Sequence, residues 1–230
     1  MGRSSGLPFF YLHILTMPIP TTNATQELPA VNEILASVGQ APVTTLNQTN
    51  PDVAIAYDTL IQVSREVQAE GWSFNSEYDY ETTTDASKEY TIPNNMLQVD
   101  LGSQYNSTSR STYASKNAVR RNGKLYDKYN HTYEITDTAS DIIKLDVVWL
   151  FDWVDLPVPI QDYVVSRAAT IVSSRIVGDP GQYKMLQEKE GYCRAMALEY
   201  ETNQGDYTFF GHAKGNNGYR SYQPYHALSR

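Results

Sequence analysis

The chain is poor in the residues that do chemistry on their own. It has one cysteine, Cys193, in 230 residues, so no disulfide forms within it, and a lone thiol fits assembly in a reducing cytoplasm. Cys193 falls at an apolar position of an expected helix, where it reads as a small core residue rather than a nucleophile. The four histidines, His13, His131, His212 and His226, are scattered over expected loops and ends, and no metal site converges from such spacing. A Gly-rich phosphate loop, G-x-S-x-G, H-E-x-x-H and C-x-x-C are all missing. These absences leave no catalytic, cofactor or metal residue to nominate by motif. Charge is also scarce, at 19% of residues, with a net charge of −8. That balance disfavours general nucleic-acid binding, which needs a basic stripe. The one basic cluster, Lys116, Arg120, Arg121, Lys124 and Lys128, reads as a solvated hairpin face. No apolar run approaches the roughly 20 residues of a membrane span, so no membrane partner is expected. Residues 7–15 (LPFFYLHIL) loosely resemble a signal peptide after Arg3, but contain Pro8 and His13 and lack a small-x-small cleavage site. Residues 1–16 are read as an extension upstream of a more natural start at Met17, or as an arm.

What is abundant is polar and aromatic. Tyrosine occurs 18 times, and a surface of Tyr, Ser, Thr, Asn and Gln suits both protein–protein contacts and a β-rich fold. Hydrophobic periodicity divides the chain. In the segment from Glu27 to Ser37, Leu28, Val31, Ile34 and Leu35 recur at helical spacing, with Thr25 as candidate N-cap, Pro29 in the first turn and Gly39 as stop. A second helix is expected from Asn50 as cap and Pro51 as first helical residue to Gly71, with Val53, Tyr57, Leu60, Ile61, Ser64 and Val67 as its stripe. From Trp72 to Trp153 the period falls to two. The expected strands are Trp72–Tyr80, Glu89–Ile92, Leu97–Leu101, Ser111–Val119, Lys124–Asp127, Thr132–Glu134 and Asp141–Leu150, with Asn122-Gly123 as a hairpin turn. Helical spacing returns after Leu156, through Ile160, Tyr163, Val164, Ala168, Ile171 and Val172. Gly178-Asp179-Pro180 stops that helix and starts a fourth, striped by Tyr183, Leu186, Cys193, Ala197 and Tyr200 and ending near Asn203.

The expected fold class is therefore α+β. N- and C-terminal helical hairpins form one four-helix domain, residues 25–71 and 156–204. An antiparallel β domain, 72–155, is inserted between them. An arm, 1–24, and a tail, 205–230, flank the whole.

Carboxylates offer the one enzymatic alternative. Glu77, Asp79 and Glu81 alternate along an expected strand, and Asp152 and Asp155 flank Trp153. A glycosidase needs two such groups about 5 to 10 Å apart across a groove with aromatic walls. A host-surface polysaccharide hydrolase is thus one alternative, and a β-domain binding module is another. A shared solvent-open groove at Asp152 and Asp155 would distinguish the hydrolase.

At the helices the sequence resembles a known family. ELPAVNEILASVGQAPVTTL (Glu27 to Leu46) and AEGWSFN (Ala69 to Asn75), then GKLYD (Gly123 to Asp127), the Leu156-Pro157 helix start and LQEKEGYCRAMALEY (Leu186 to Tyr200), are similar to the tail tubular protein A family of podoviruses. The resemblance runs from about Glu27 to Phe210. It implies a non-enzymatic virion protein, the adaptor or gatekeeper, assembled in the host bacterial cytoplasm as a twelve-subunit homo-oligomeric ring. It implies a portal protein above the ring, a nozzle protein (tail tubular protein B) below and tail fibres at the side. Genomic DNA would pass through the lumen without specific binding during ejection. On that reading the helical domain builds the ring and the β domain projects outward. The candidate interface residues are Arg167 and Arg175, pairing with Glu188 or Glu190 of a neighbour; Trp72 and Phe74 at the domain switch; and Tyr207, Tyr222 and Tyr225 in the tail.

Overall fold

The structure is a computed structural model that describes residues 24–47, 49–101, 118–128, 130–135, 142–205, 207–208 and 211–212. It is α+β, with four helices and antiparallel sheets. The expected strand residues 111–117 and 141, and the tail tyrosines Tyr222 and Tyr225, lie outside the described residues.

Helix α1 spans Ala24–Ser37 and α2 spans Pro51–Gln68. Capping decides where α2 begins. The Asn50 side chain accepts the Asp52 N–H at 3.0 Å, and Pro51 needs no partner for the N–H it lacks. Helix α1 starts earlier than the sequence predicts, so Thr25 lies inside it and Pro29 past its first turn. Helix α3 spans Val158–Ile176 and α4 spans Pro180–Gly205. Between α3 and α4 the Asp179 carboxylate accepts the Gln182 N–H at 2.9 Å, starting the second helix at once.

Helix α3 packs against the other three. Its residues Ile160, Tyr163, Val164, Ala168 and Val172 are wholly buried. They share one apolar cluster with Val31, Ile34 and Leu35 of α1, Val53, Leu60, Val63 and Val67 of α2, and Cys193 and Ala197 of α4. Polar contacts fix the directions. Arg167 reaches Glu66 and Arg175 reaches Thr59, so α3 runs opposite to α2. Lys189 pairs with Glu33 and Gln182 donates to the Ser37 carbonyl, so α4 runs opposite to α1.

A second cluster belongs to the β region, with Ile92, Met96, Leu125, Ile135, Ile143, Leu145, Val147 and Trp149 at its centre. Strands β1 (Ser76–Thr83), β2 (Met96–Leu101) and β5 (Ile142–Trp149) form an antiparallel sheet in the order β1-β5-β2. Strands β3 (Ala118–Arg121) and β4 (Lys124–Asp127) form a hairpin. Asn122 and Gly123 at its tip have φ of 52° and 72°, the left-handed pair that a tight hairpin turn demands. Burial along β5 alternates with period two, Ile143, Leu145, Val147 and Trp149 facing the core.

Three strand expectations need correcting. The first strand begins at Ser76, not Trp72, because Trp72 to Asn75 form a turn that seats Trp72 in the helical core. Residues 89–92 and 132–134 contribute only single bridges, Thr91 to Lys124 and Asp127 to Thr132. Those segments are short connections beside the hairpin, with too few paired backbone groups to extend a ladder. Finally, two short strands, β6 (Tyr207–Thr208) and β7 (Gly211–His212), pair with each other in the tail.

Candidate interaction surfaces and the junction that positions them

The two apolar clusters meet where α2 ends, and the join is polar. Gln68 is wholly buried at the last turn of α2. Its Oε1 accepts the Phe151 N–H at 2.7 Å, and its Nε2 donates to the Phe151 carbonyl and to Ser64 Oγ at 3.2 Å. Asn75, also buried, does the matching work from the turn before β1. Its Nδ2 donates to the Gln68 and Trp149 carbonyls, both at 2.8 Å, and its Oδ1 accepts the Trp72 N–H at 2.9 Å. Trp72 donates its ring N–H to the Val67 carbonyl at 2.7 Å, adding a partner for the last turn of α2. A buried amide with every group satisfied tolerates one geometry and penalises others, so this cluster sets how the sheet leaves the helices. Gly71, at φ 78°, makes the turn into it. Helix α4 adds a strap from the other side: the Glu201 carboxylate accepts the Ser73 N–H at 3.0 and 2.9 Å and the Ser73 hydroxyl at 2.9 Å.

The structure separates the acidic residues that alternate along β1 in the sequence. A register shift in β1 between Glu77 and Tyr80, with Asp79 at φ 55°, inserts one extra residue. Glu77 therefore opposes Val147 on the core side, whereas Glu81 opposes Lys144 on the other face. Glu77 accepts the Trp149 ring N–H at 3.0 Å, and Glu81 pairs with Lys144 at 2.8 Å. Asp152 and Asp155 bracket a single 3-10 turn, Trp153–Asp155. A groove of about 520 Å³ lies on the β sheet, and neither Asp152 nor Asp155 lines it. That groove gives the hydrolase alternative no support. Among the described residues, no group of three or more His, Cys, Asp and Glu side chains is placed to hold a metal ion. No described helix is long and apolar enough to cross a membrane.

The basic hairpin is also largely occupied. Arg120 donates to the Met96 carbonyl at 3.1 Å, the Arg121 guanidinium lies 4.1 Å from the Tyr126 ring centroid, and Lys124 pairs with Glu89.

The candidate interface residues fall into three groups. Trp72 and Phe74 are spent inside the molecule. Trp72 is buried in the helical core, and Phe74 packs on that core and against the Phe151 ring at 6.2 Å. Arg167 and Arg175 are turned toward α2. The Arg167 guanidinium lies 3.2 Å from Glu66 and 3.6 Å from Glu70, and that of Arg175 donates to Thr59 Oγ1 at 3.2 Å. Glu188 is exposed and Glu190 half-buried on α4, and neither has an ion pair among the described residues. Tyr207 lies in β6.

The surface that sequence reasoning missed is the outer flank of α4. Met185, Tyr192 and Met196 recur at spacings of seven and four, which puts them on one stripe. They are 72%, 67% and 41% exposed. Only Cys193 and Ala197 of this 26-residue helix are buried. The signal was present: apolar residues occur all round α4, more than one core-facing stripe uses.

A family model described as "Tube: Tail tubular protein" matches residues 28–207. A curated relative, "Tail tubular protein A" of Klebsiella phage KP34, is 28% identical over 180 residues, covering 78% of this chain and 89% of the relative. The matched region takes in both apolar clusters and the polar junction between them, so the chain belongs to the tail tubular protein family and is a structural subunit of a phage tail.

Proposed function

We propose that this subunit assembles into a homo-oligomeric adaptor ring, of twelve copies by family resemblance, that joins the portal to the tail nozzle. The ring encloses the DNA exit channel and helps to dock tail fibres. The observation that supports the ring is the outer flank of α4, where Met185, Tyr192 and Met196 are exposed on a helix that the other described residues leave half uncovered. A ring needs heterologous contacts, one patch meeting a different patch on the next copy, and an apolar stripe edged by Glu188 and Glu199 supplies one of them. Arg167 and Arg175 serve this interface indirectly by fixing α3 against α2, since their guanidinium groups are already engaged. The helical region builds the ring, and the β region, held at a set angle by Gln68 and Asn75, faces the nozzle and fibres. An acidic chain, net −8, gives a lumen that repels phosphate and lets DNA slide. Among the described residues, no arrangement favours an enzymatic role.

The test is the assembly state of the purified protein against that of Tyr192→Asp and Met196→Asp. The wild type forms rings by sedimentation and electron microscopy, and both variants stay folded and monomeric. Rings that form unaltered in both variants would remove α4 from the interface.

A further inference from the structure

Helix α4 is held lightly along its length and is tied near its two ends. Cys193 and Ala197 are its only buried residues among those described. In its first half Gln182 donates to the Ser37 carbonyl and Lys189 pairs with Glu33. Beyond Ala197 the helix continues to Gly205, and in that stretch Glu201 reaches the polar junction. Its carboxylate accepts the Ser73 N–H through both oxygens, at 3.0 and 2.9 Å, and the Ser73 hydroxyl at 2.9 Å. Carboxylates are strong acceptors, and this clasp joins residues 128 apart in sequence.

Ser73 sits in a turn whose four residues point to four different elements. Trp72 enters the helical core, Phe74 packs against Phe151, and Asn75 donates to the Gln68 and Trp149 carbonyls. Ser73 meets α4. The turn is closed on itself, by the Asn75 N–H to the Trp72 carbonyl at 3.2 Å and by the Trp72 N–H to the Asn75 side chain at 2.9 Å. A shift at Ser73 is therefore felt at Asn75. From there it reaches Trp149, whose N–H is bonded to the Asn75 carbonyl at 2.8 Å, and Gln68, which holds the Phe151 N–H. Closely packed, fully bonded groups do not deform continuously; they switch between discrete arrangements.

We propose that the Glu201–Ser73 clasp is a conformational coupling device. The last turns of α4 and the polar junction open and close as one cooperative unit, so a load on α4 resets how the sheet leaves the helices. The two states are clasp made and clasp open. In the open state α4 loses its tie beyond Ala197, and the turn before β1 loses its tie to α4. Such coupling is reciprocal, so a partner that shifts the junction from the β side changes the stability of the end of α4. On the reading that the outer flank of α4 meets the next copy in a ring, the clasp carries ring closure to the β region. The coupling itself lies within one subunit and does not need that reading.

Native-state hydrogen exchange of the full-length protein, resolved to single amides, tests it. In the wild type the amides of residues 199–204 and those of Ser73, Trp149 and Phe151 should follow one common curve in low urea, the mark of a cooperative unit. Glu201→Ala should speed all of them by about tenfold, the scale of losing one or two net hydrogen bonds. Ser73→Ala removes only the hydroxyl bond and should speed the same amides by less, which keeps the test open if Glu201→Ala does not fold. Gln182→Ala cuts the tie at the other end of α4 and should leave Trp149 and Phe151 at wild-type rates. If both clasp variants speed only residues 199–204 and Ser73, the clasp is a local cap and the proposal is overturned. In the assembled wild type, Trp149 and Phe151 should exchange more slowly than in the free subunit. Assembly that leaves these two amides unchanged overturns the transmission from α4 to the sheet. A wild type that never assembles removes the ring reading instead, and the single-subunit comparison still decides the clasp.

Discussion

Replacing Asn75 by alanine is the sharpest test of the polar junction. The substitution removes three hydrogen bonds of 2.8 to 2.9 Å in a buried site: to the Gln68 carbonyl, to the Trp149 carbonyl and from the Trp72 N–H. The bond from the Trp149 N–H to the backbone carbonyl of Asn75 survives. Each net bond contributes about 0.5–1.5 kcal/mol, and buried groups left unpaired carry a further desolvation penalty. The loss should be about 3 kcal/mol. Asn75→Asp should cost more, since it keeps the acceptor for Trp72 but turns a carboxylate against two carbonyl oxygens. Gln62→Ala, at an exposed i,i+4 pair with Glu66, is the control and should change stability by no more than about 0.5 kcal/mol. Equilibrium urea unfolding followed by tryptophan fluorescence measures all three. A loss below about 1 kcal/mol for Asn75→Ala, or a wild-type value for Asn75→Asp, would refute the view that this amide holds the two cores together.

Other expectations follow from the same structure. Leu125→Ala, at a wholly buried site in the β cluster, should destabilise by about 3 kcal/mol in urea unfolding. Arg167→Ala should cost only about 1 kcal/mol, with the difference from wild type shrinking in salt, because its pairs with Glu66 and Glu70 are partly exposed. Burial raises the pKa of Tyr90, and burial followed by the charge of Glu77 raises that of Tyr80, both from 10.0. The folded state therefore favours their neutral phenols. Stability from this source is complete below pH 10 and is lost as pH rises through the folded values. Tm scans above pH 10 should show a steep fall that Tyr90→Phe makes shallower.

Much of the fold is written where local chemistry is strongest. Asn50-Pro51 starts α2, Asp179-Pro180 starts α4, and Asn122-Gly123 turns the hairpin whose second strand, Lys124–Asp127, has the bounds its sequence predicts. Where a bond depends on residues far apart in the chain, sequence spacing is silent. Glu77, Asp79 and Glu81 read as one face because nothing local announces the extra residue at Asp79. Gln68 and Asn75 are polar residues beside solvent-facing ones, and their partners lie up to 83 residues away. One hint was available: Leu60, Ser64 and Gln68 continue at i+4 along the buried side of α2. Arg167 and Arg175 lie two turns apart on α3 and both meet α2, but periodicity does not say whether a charged flank meets its own α2 or another molecule. The exposed stripe of α4 is legible in the apolar positions left over once the core face is assigned.

The central claim, a tail subunit that forms a ring joined to the portal, is tested most directly by native mass measurement of the purified protein, alone and mixed with the portal protein. A closed multimer, or a multimer formed when portal is added and bound to it, is the predicted result. A protein that stays monomeric and never binds the portal would contradict it.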